Sequence, residues 1–485
     1  MINGKEHPVD LQVYDLEQCF DALWLDDCLN DIYDTVSNKN QNDKLALLYE
    51  ANQENLVSVK TALGKTDREC FPNIVQQGGT WGSLMCSNSI DTLGRKCQDR
   101  GEHFYLYKGI VRVFPLAMVD DLMGVAKCGF QSISLNTFLT TQIEMKKLRF
   151  HVPDKTGKSK CHKIHVGRSN QFCPKLKVHE TEMETVKDDT YLGDIISEDG
   201  QNTKNIHKRI SKGLGIISSI INLLDKISLG YFYFEVAVLL RESMFINGIL
   251  TNVEIWHNVK KTEIDELEEL DRSLLRKILK VPISTPKESL YLELGILPIG
   301  TIVKSRRIMY LHYLVNFNKS EMLYKFFITQ WNNPTKGDWS ELAKNDLNEL
   351  KINHDFGDMR AKSKQSFKTL VKSKAKNYAF EHLISMKEGH SKMDNLEYTE
   401  IKMQDYLKSE NIKMQEALIL FKYRTRMAAF GENFRAGADE VWCPLCLESL
   451  DDQSHSYQCK NIINEIEIKG NLSDIYSGNI SQETA

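Results

Sequence analysis

Apolar and polar positions follow two different rhythms along the chain. In the first two hundred residues the apolar runs are short and strand-like. Leu11-x-Val13 alternates up to Asp15, where a turn and a helix start follow with Phe20 and Asp21. Val111, Val113, Phe114, Leu116, Met118 and Val119 lead into Asp120-Asp121, and Leu122, Met123 and Val125 lead out, which predicts a β-hairpin with the acidic pair at its tip. Leu45, Leu47, Leu48 and Ala51 predict a helix over 42–63, and another is expected over 134–148. After Gly200 the period lengthens. Ile206, Ile210, Leu214, Ile217, Ile220, Ile221 and Leu224 recur at helical spacing. Two more helices are expected over 234–250 and 262–279, the second with Leu267, Leu270, Leu274, Leu275 and Ile278 on one face. Pro282, Pro286 and Pro298 punctuate the next section, and 331–338 has the composition of a linker. The expected fold class is α+β, with a helical second half.

Composition narrows the setting. The chain has 485 residues, 41% of them apolar and 26% charged, ordinary globular usage for a protein of several domains. The longest apolar candidate, Phe232 to Leu240, is broken by Glu235 and followed by Arg241-Glu242, so no membrane span is expected. The N-terminal Met-Ile-Asn-Gly-Lys-Glu lacks a signal-peptide pattern, and eleven cysteines without one point to reduced thiols. The formal net charge is −4, but 351–392 carries ten Lys or Arg against four Asp or Glu. A basic helix there, with Phe367, Tyr378 and Phe380 interleaved, suits a nucleic-acid backbone as well as it suits a soluble surface.

Four stretches carry candidate chemistry. Two carboxylates at the tip of an apolar hairpin are costly unless their charge is compensated, and a divalent metal would compensate it. A plain turn is the other reading of Asp120-Asp121, as a helix N-cap is of Asp15. Gln77-Gly78-Gly79 opens a helix near Ser83, where glycines allow close approach to a nucleotide or template strand, and also suit an ordinary turn. Lys155 to Gly167 is a basic turn running into a strand. Near the C-terminus, Cys443-x2-Cys446-x8-His455-x3-Cys459 places four ligands within seventeen residues, the spacing of a closed tetrahedral Zn²⁺ site.

Taken in order, these motifs resemble the palm of a reverse transcriptase of the non-LTR (LINE-type) retrotransposon branch. Tyr14-Asp15-Leu-Glu-Gln-Cys-Phe20-Asp21 resembles the first palm motif. Gln77-Gly78-x-x-x-Gly82-Ser83 resembles Gln-Gly-x-x-x-Ser-Pro, with Gly-Ser in place of Ser-Pro. Val119-Asp120-Asp121 resembles the Val-Asp-Asp motif, and Tyr191-Leu192-Gly193 the Tyr-Leu-Gly that follows the palm. The Cys/His cluster also occurs near the end of such proteins. The resemblance spans about residues 10 to 460 and departs from the family in its acidic net charge.

The resemblance implies a palm over 1–200 without its fingers, a helical thumb over 201–335, a basic helical region over 336–440, a zinc motif over 441–462 and a disordered tail over 463–485. It implies an RNA-directed DNA polymerase acting on an RNA template, a DNA primer and deoxynucleoside triphosphates. Asp15, Asp120 and Asp121 would hold Mg²⁺ or Mn²⁺. Phe20 would lie against the sugar, Gln77 and Gly78 by the template, and Lys160 by the phosphates. Arg209, Lys212 and Lys226 would meet the duplex backbone, and 420–426 would add positive charge beside the zinc motif. Nuclear localisation follows from the family, and so does the expectation of a truncated gene lacking fingers and endonuclease. An inactive nucleic-acid-binding relic is the alternative function.

Overall fold

In the computed structural model the described residues are 9–35, 50, 56–58, 60–61, 64–70, 82–127, 129–152, 160–166, 173–227, 229–428, 430–431, 441–465 and 476. The chain divides into two compact units: Met1–Asn202 with Lys319–Asn333, and Thr203–Asn318 with Pro334–Ala485.

The first unit is α+β. Strand β1 (Val9–Asp15) lies at the centre of a five-stranded sheet with β2 (Leu116–Met118), β3 (Asp121–Lys127), β4 (His162–Val166) and β5 (Glu184–Val186), in the order β5-β4-β1-β3-β2. All pairings are antiparallel except β4 with β5. A central strand is covered on both faces, so the polar positions of β1 are buried as well as its apolar ones. Asp10 and Gln12 are fully buried. Gln12 donates to the Ser132 carbonyl at 2.8 Å, and the Tyr14 hydroxyl bonds Gln12 at 2.7 Å and Asn136 at 2.8 Å. This buried ladder ties β1 to the helix Phe130–Met145, whose Leu135, Phe138, Leu139 and Ile143 pack with Tyr14 and Leu122. Gly124 in β3 makes that approach possible, since a Cβ there would stand 3.0 Å from Leu135 Cδ2. The helix Gly82–Arg100 closes the same core through Met85, Cys86, Ile90, Leu93 and Cys97.

The C-terminal end of one expected helix is corrected. Of 42–63 the structure describes little before Leu56, but Leu56–Val57 and Lys60–Thr61 are short strands, paired with Glu69–Cys70 and Gly64–Lys65. Val57, Val59 and Thr61 are β-branched, and Gly64, at φ 134°, pairs back onto Thr61, so local preference opposes continuing a helix there. The hairpin is refined as well. Only β3 is buried, while β2 is exposed along its length, and Val111–Val113 pairs with Tyr105–Tyr107 instead.

The second unit is helical. Thr203–Lys226, Lys261–Leu279, Ile299–Val315 and Lys364–Lys387 contribute to its interior, and Ile206, Ile217, Ile220, Leu267, Leu274 and Ile278 belong to one apolar cluster. The helix expected over 234–250 forms with a π-turn at Arg241–Ile246. Arg241 is fully buried there and grips Asp271 with two bonds of 2.7 and 2.6 Å, a local distortion that a buried ion pair holds in place. Among the described residues no helix is long and apolar enough to cross a membrane.

Candidate active site and metal centre

β1 and β3 bring the acidic residues together. Asp15 ends β1, Asp121 begins β3, and the two are direct cross-strand partners. Asp120 occupies the two-residue turn between β2 and β3, in which Met118 pairs with Asp121. The other turn residue, Val119, takes φ 59°, a left-handed conformation a β-branched side chain strongly disfavours. Backbone held this way costs on the order of 1–3 kcal/mol and clusters at functional sites. Beside Asp15, the backbone of 149–151 extends the edge: Glu17 N–H donates to the Arg149 carbonyl and His151 N–H to the Asp15 carbonyl.

Charge gathers at this sheet end. Lys160, largely exposed, donates to Asp15 Oδ2 at 3.1 Å. Burial, then the carboxylates of Asp120 and Asp15, push the Asp121 carboxyl above its ordinary range, and Lys160 opposes them. The Tyr191 hydroxyl is pushed up to about 12, by burial first and then by the Asp121 charge. Tyr191 closes a hairpin of β6 (Asp188–Tyr191) with β7 (Asp194–Ser197), whose turn residues Leu192 and Gly193 both take positive φ. The structure thus groups Asp15, Asp120, Asp121, Lys160 and Tyr191. Phe20, in the short helix Cys19–Ala22, is half-buried against the core that holds Tyr14 and Cys86. Gln77 and Gly78 lie outside the described residues. Gly82 and Ser83 are the first residues of the helix Gly82–Arg100, Gly82 buried and Ser83 exposed.

Three carboxylates at one sheet end are a hard oxygen donor set of the kind Mg²⁺ takes. Burial first, and then the neighbouring carboxylates, disfavour the ionised form of Asp121, which a cation would favour. The three are more loosely spaced than the sets whose ligand atoms all lie within 4.8 Å of one another; among the described residues there are two of those. One is Cys443, Cys446, His455 and Cys459; the other is Asp10, His165 and Cys173.

The first of these is built from a turn and a single helical turn. Cys443 N–H donates to the Ser449 carbonyl at 2.8 Å and Leu447 N–H to the Cys443 carbonyl at 2.9 Å, which folds the Cys-x2-Cys loop back on itself. Asp452 caps Gln453–Ser456 by accepting the His455 N–H at 2.7 Å and so aims the imidazole. Cys443 and Cys459 Sγ are 4.0 Å apart, and Cys446 Sγ is 3.2 Å from His455 Nε2. Thiolates at about 2.3 Å from one Zn²⁺ in a tetrahedron stand about 3.8 Å apart, so the spread fits. The Glu448 backbone N–H pulls the Cys446 thiol down to about 7, toward the thiolate a metal needs. These four residues could bind zinc.

In the helical unit a cleft of about 1280 Å³ is lined by Arg306, Tyr313, Lys364, Lys368 and Lys372, among others. The three lysines repeat at i, i+4 and i+8 on Lys364–Lys387 and are exposed. Facing them on Ile299–Val315, Tyr310 stacks with Tyr313, their ring centroids 5.8 Å apart. Sequence reasoning marked the basic region but mistook its aromatics. Phe367 is buried and Phe380 packs on the core, while the Tyr378 hydroxyl donates to Glu349. Arg424 is corrected too. It is fully buried on Glu293, with bonds of 3.0 to 3.2 Å, and adds no surface charge beside the zinc cluster. Arg209 is buried, while Lys212 and Lys226 are exposed.

No family model matches the chain. No curated protein matches it either. Among solved structures, a telomerase from Candida albicans, in complex with a TWJ fragment of telomeric RNA, aligns over 66% of this chain and 49% of its own, at 10% identity and a TM-score of 0.27. The chain therefore spans about half of that protein. A likeness at that level carries no argument about fold or activity.

Proposed function

We propose that this chain is a nucleotidyltransferase of the reverse-transcriptase type, an RNA-directed DNA polymerase of the non-LTR retrotransposon branch. The observation that carries this reading is the pairing of Asp15 with Asp121 across the two central strands, with Asp120 on a strained turn beside them. In-line attack of a primer 3′-hydroxyl on an α-phosphate needs negative charge to be neutralised at the attacking and leaving oxygens, and a pair of Mg²⁺ ions supplies that when bound. Asp15 and Asp121 would hold the ions from adjacent strands and Asp120 from the turn. Lys160 holds Asp15 in place and offers its ammonium to the triphosphate. Tyr191, kept protonated, bounds the carboxylates on the side of the second hairpin. In the helical unit, the lysine row and the tyrosine pair would take the phosphates and bases of a template or primer strand. The Cys443–Cys459 cluster would hold a zinc knuckle that contacts nucleic acid.

Primer extension on an RNA template with Mg²⁺ tests the proposal. The wild-type chain should extend the primer, and Asp120→Ala or Asp121→Ala should abolish extension while duplex binding persists. Duplex binding without extension by the wild type would refute polymerase activity and leave a nucleic-acid-binding protein. The looser spacing of the three carboxylates is the observation that favours that second reading.

A further inference from the structure

At the other end of β1 a second, unrelated cluster stands out. Asp10 and His165 are register partners on β1 and β4, and Asp10 Oδ1 lies 2.8 Å from His165 Nδ1. Asp10 is fully buried, yet its Oδ2 has no hydrogen-bond partner among the described residues. A buried carboxylate oxygen without a donor is expensive. The nearby cation does not serve it, because Lys163, itself buried, donates to Cys173 Sγ at 3.1 Å and to the Pro174 carbonyl. One ligand atom from each of Asp10, His165 and Cys173 falls within 4.8 Å of the others.

We infer that Asp10, His165 and Cys173 form a second zinc site. Thiolate, imidazole and carboxylate together are a borderline-soft set, which selects Zn²⁺ over Mg²⁺ or Ca²⁺. An ion here would engage the carboxylate that no donor reaches, and would take the place now held by the proton between Asp10 and His165. Three protein ligands leave the fourth position to a water. Lys163 would keep its bond to the coordinated sulfur, as outer-shell donors do. The site is distinct from the acidic one. Asp10 and Asp15 are five positions apart on the strand, about 17 Å, and point to opposite faces of β1. The ion would pin the chain following β4 onto the central strand and fix the strand that carries Asp15. The inference does not depend on polymerase activity.

Zinc stoichiometry of the purified full-length chain, after dialysis against a weak chelator, decides it. The wild type should retain two ions per chain. Cys443→Ser with Cys446→Ser should retain one, Cys173→Ser should retain one, and the three substitutions together none. Cys173 is only half-buried, so its serine variant should keep the fold where Asp10→Asn could fail to; circular dichroism checks that. Cobalt substitution adds a signature, since the ion left in the Cys443/Cys446 variant should show the charge-transfer band of a single thiolate, lost on Cys173→Ser. One ion in the wild type with none in the Cys443/Cys446 variant would overturn the inference. So would two ions retained by Cys173→Ser.

Discussion

Substituting Asp121 separates electrostatic cost from metal-binding purpose. Asp15 and Asp121 are direct cross-strand partners, which sets their Cβ atoms about 5 Å apart. Two like charges at about 5 Å repel by roughly 1 kcal/mol in water and about 3 kcal/mol at an effective dielectric constant of 20. Asp15 is partly open to solvent and is paired with Lys160, so the screened value of about 1 kcal/mol applies. In EDTA, Asp121→Asn should therefore stabilise the α+β unit by about that amount, or roughly 2–4 °C in its melting midpoint. The pH dependence has a definite sign. The folded pKa of Asp121 is raised, so the folded state holds the proton more tightly than the unfolded chain. The cost of the charge is full above the folded pKa, and it vanishes below the unfolded value of about 4. The advantage of Asn should disappear over the same range. Mg²⁺ should reverse the order: free ion at a hundred times its Kd adds about 2.7 kcal/mol to the wild type and much less to the variant. Scanning calorimetry in EDTA and in Mg²⁺ should show the two midpoints crossing. Equal Mg²⁺ shifts in both proteins, or a lower midpoint for Asp121→Asn in EDTA, would refute the reasoning.

Three further outcomes are expected. Arg424→Met leaves Glu293 charged, buried and without its guanidinium, and should cost about 3–5 kcal/mol in urea unfolding of the helical unit, with much of it recovered by adding Glu293→Gln. Replacing Lys364, Lys368 and Lys372 with Ala should lower the salt slope of single-strand binding by about 2, at roughly 0.7 for each phosphate a lysine neutralises; an unchanged slope would remove the cleft from the binding surface. Stripping zinc from the Cys443 cluster should raise amide exchange across 441–465 toward that of an unfolded chain while Lys261–Leu279 stays protected; unchanged exchange would mean that this segment folds without the ion.

What could be read in the sequence depended on how local its cause was. The Cys-x2-Cys loop and the long amphipathic helices are set by spacing within a few turns and form where their patterns placed them, while the Asp-Asp hairpin forms with a shorter first strand, Leu116–Met118, and with Asp121 already in its second strand. Asp15 came from order among motifs, and its partner Asp121 is supplied by strand register. The cluster of Asp10, His165 and Cys173 was invisible because its members are 155 and 8 positions apart and meet only through pairing of β1 with β4. Arg424 and Phe367 were misread for a related reason. Charge and aromaticity in a basic helix look alike on paper, whether they face water or a buried Glu293. The helix expected over 42–63 does not extend through 56–61, where short strands form beyond an apolar periodicity that ended at Ala51.

A net charge of −4 for the whole chain does not set the field at any one surface. A ligand feels the local field, and clefts lined with one sign focus it. The helix Lys364–Lys387 carries six lysines against Glu381, and three of them line the cleft without a carboxylate partner among the described residues. Stacked at i, i+4 and i+8, they repel each other along the helix by a few tenths of a kcal/mol per pair. Elsewhere three buried guanidiniums are neutralised: Arg241 on Asp271, Arg307 on Asp346 and Arg424 on Glu293 are all buried ion pairs. The lysine row is left exposed beside a tyrosine pair, which suits a polyanion, and the opposite arrangement, three neighbouring carboxylates with Lys160 on Asp15, marks the end of β1 and β3.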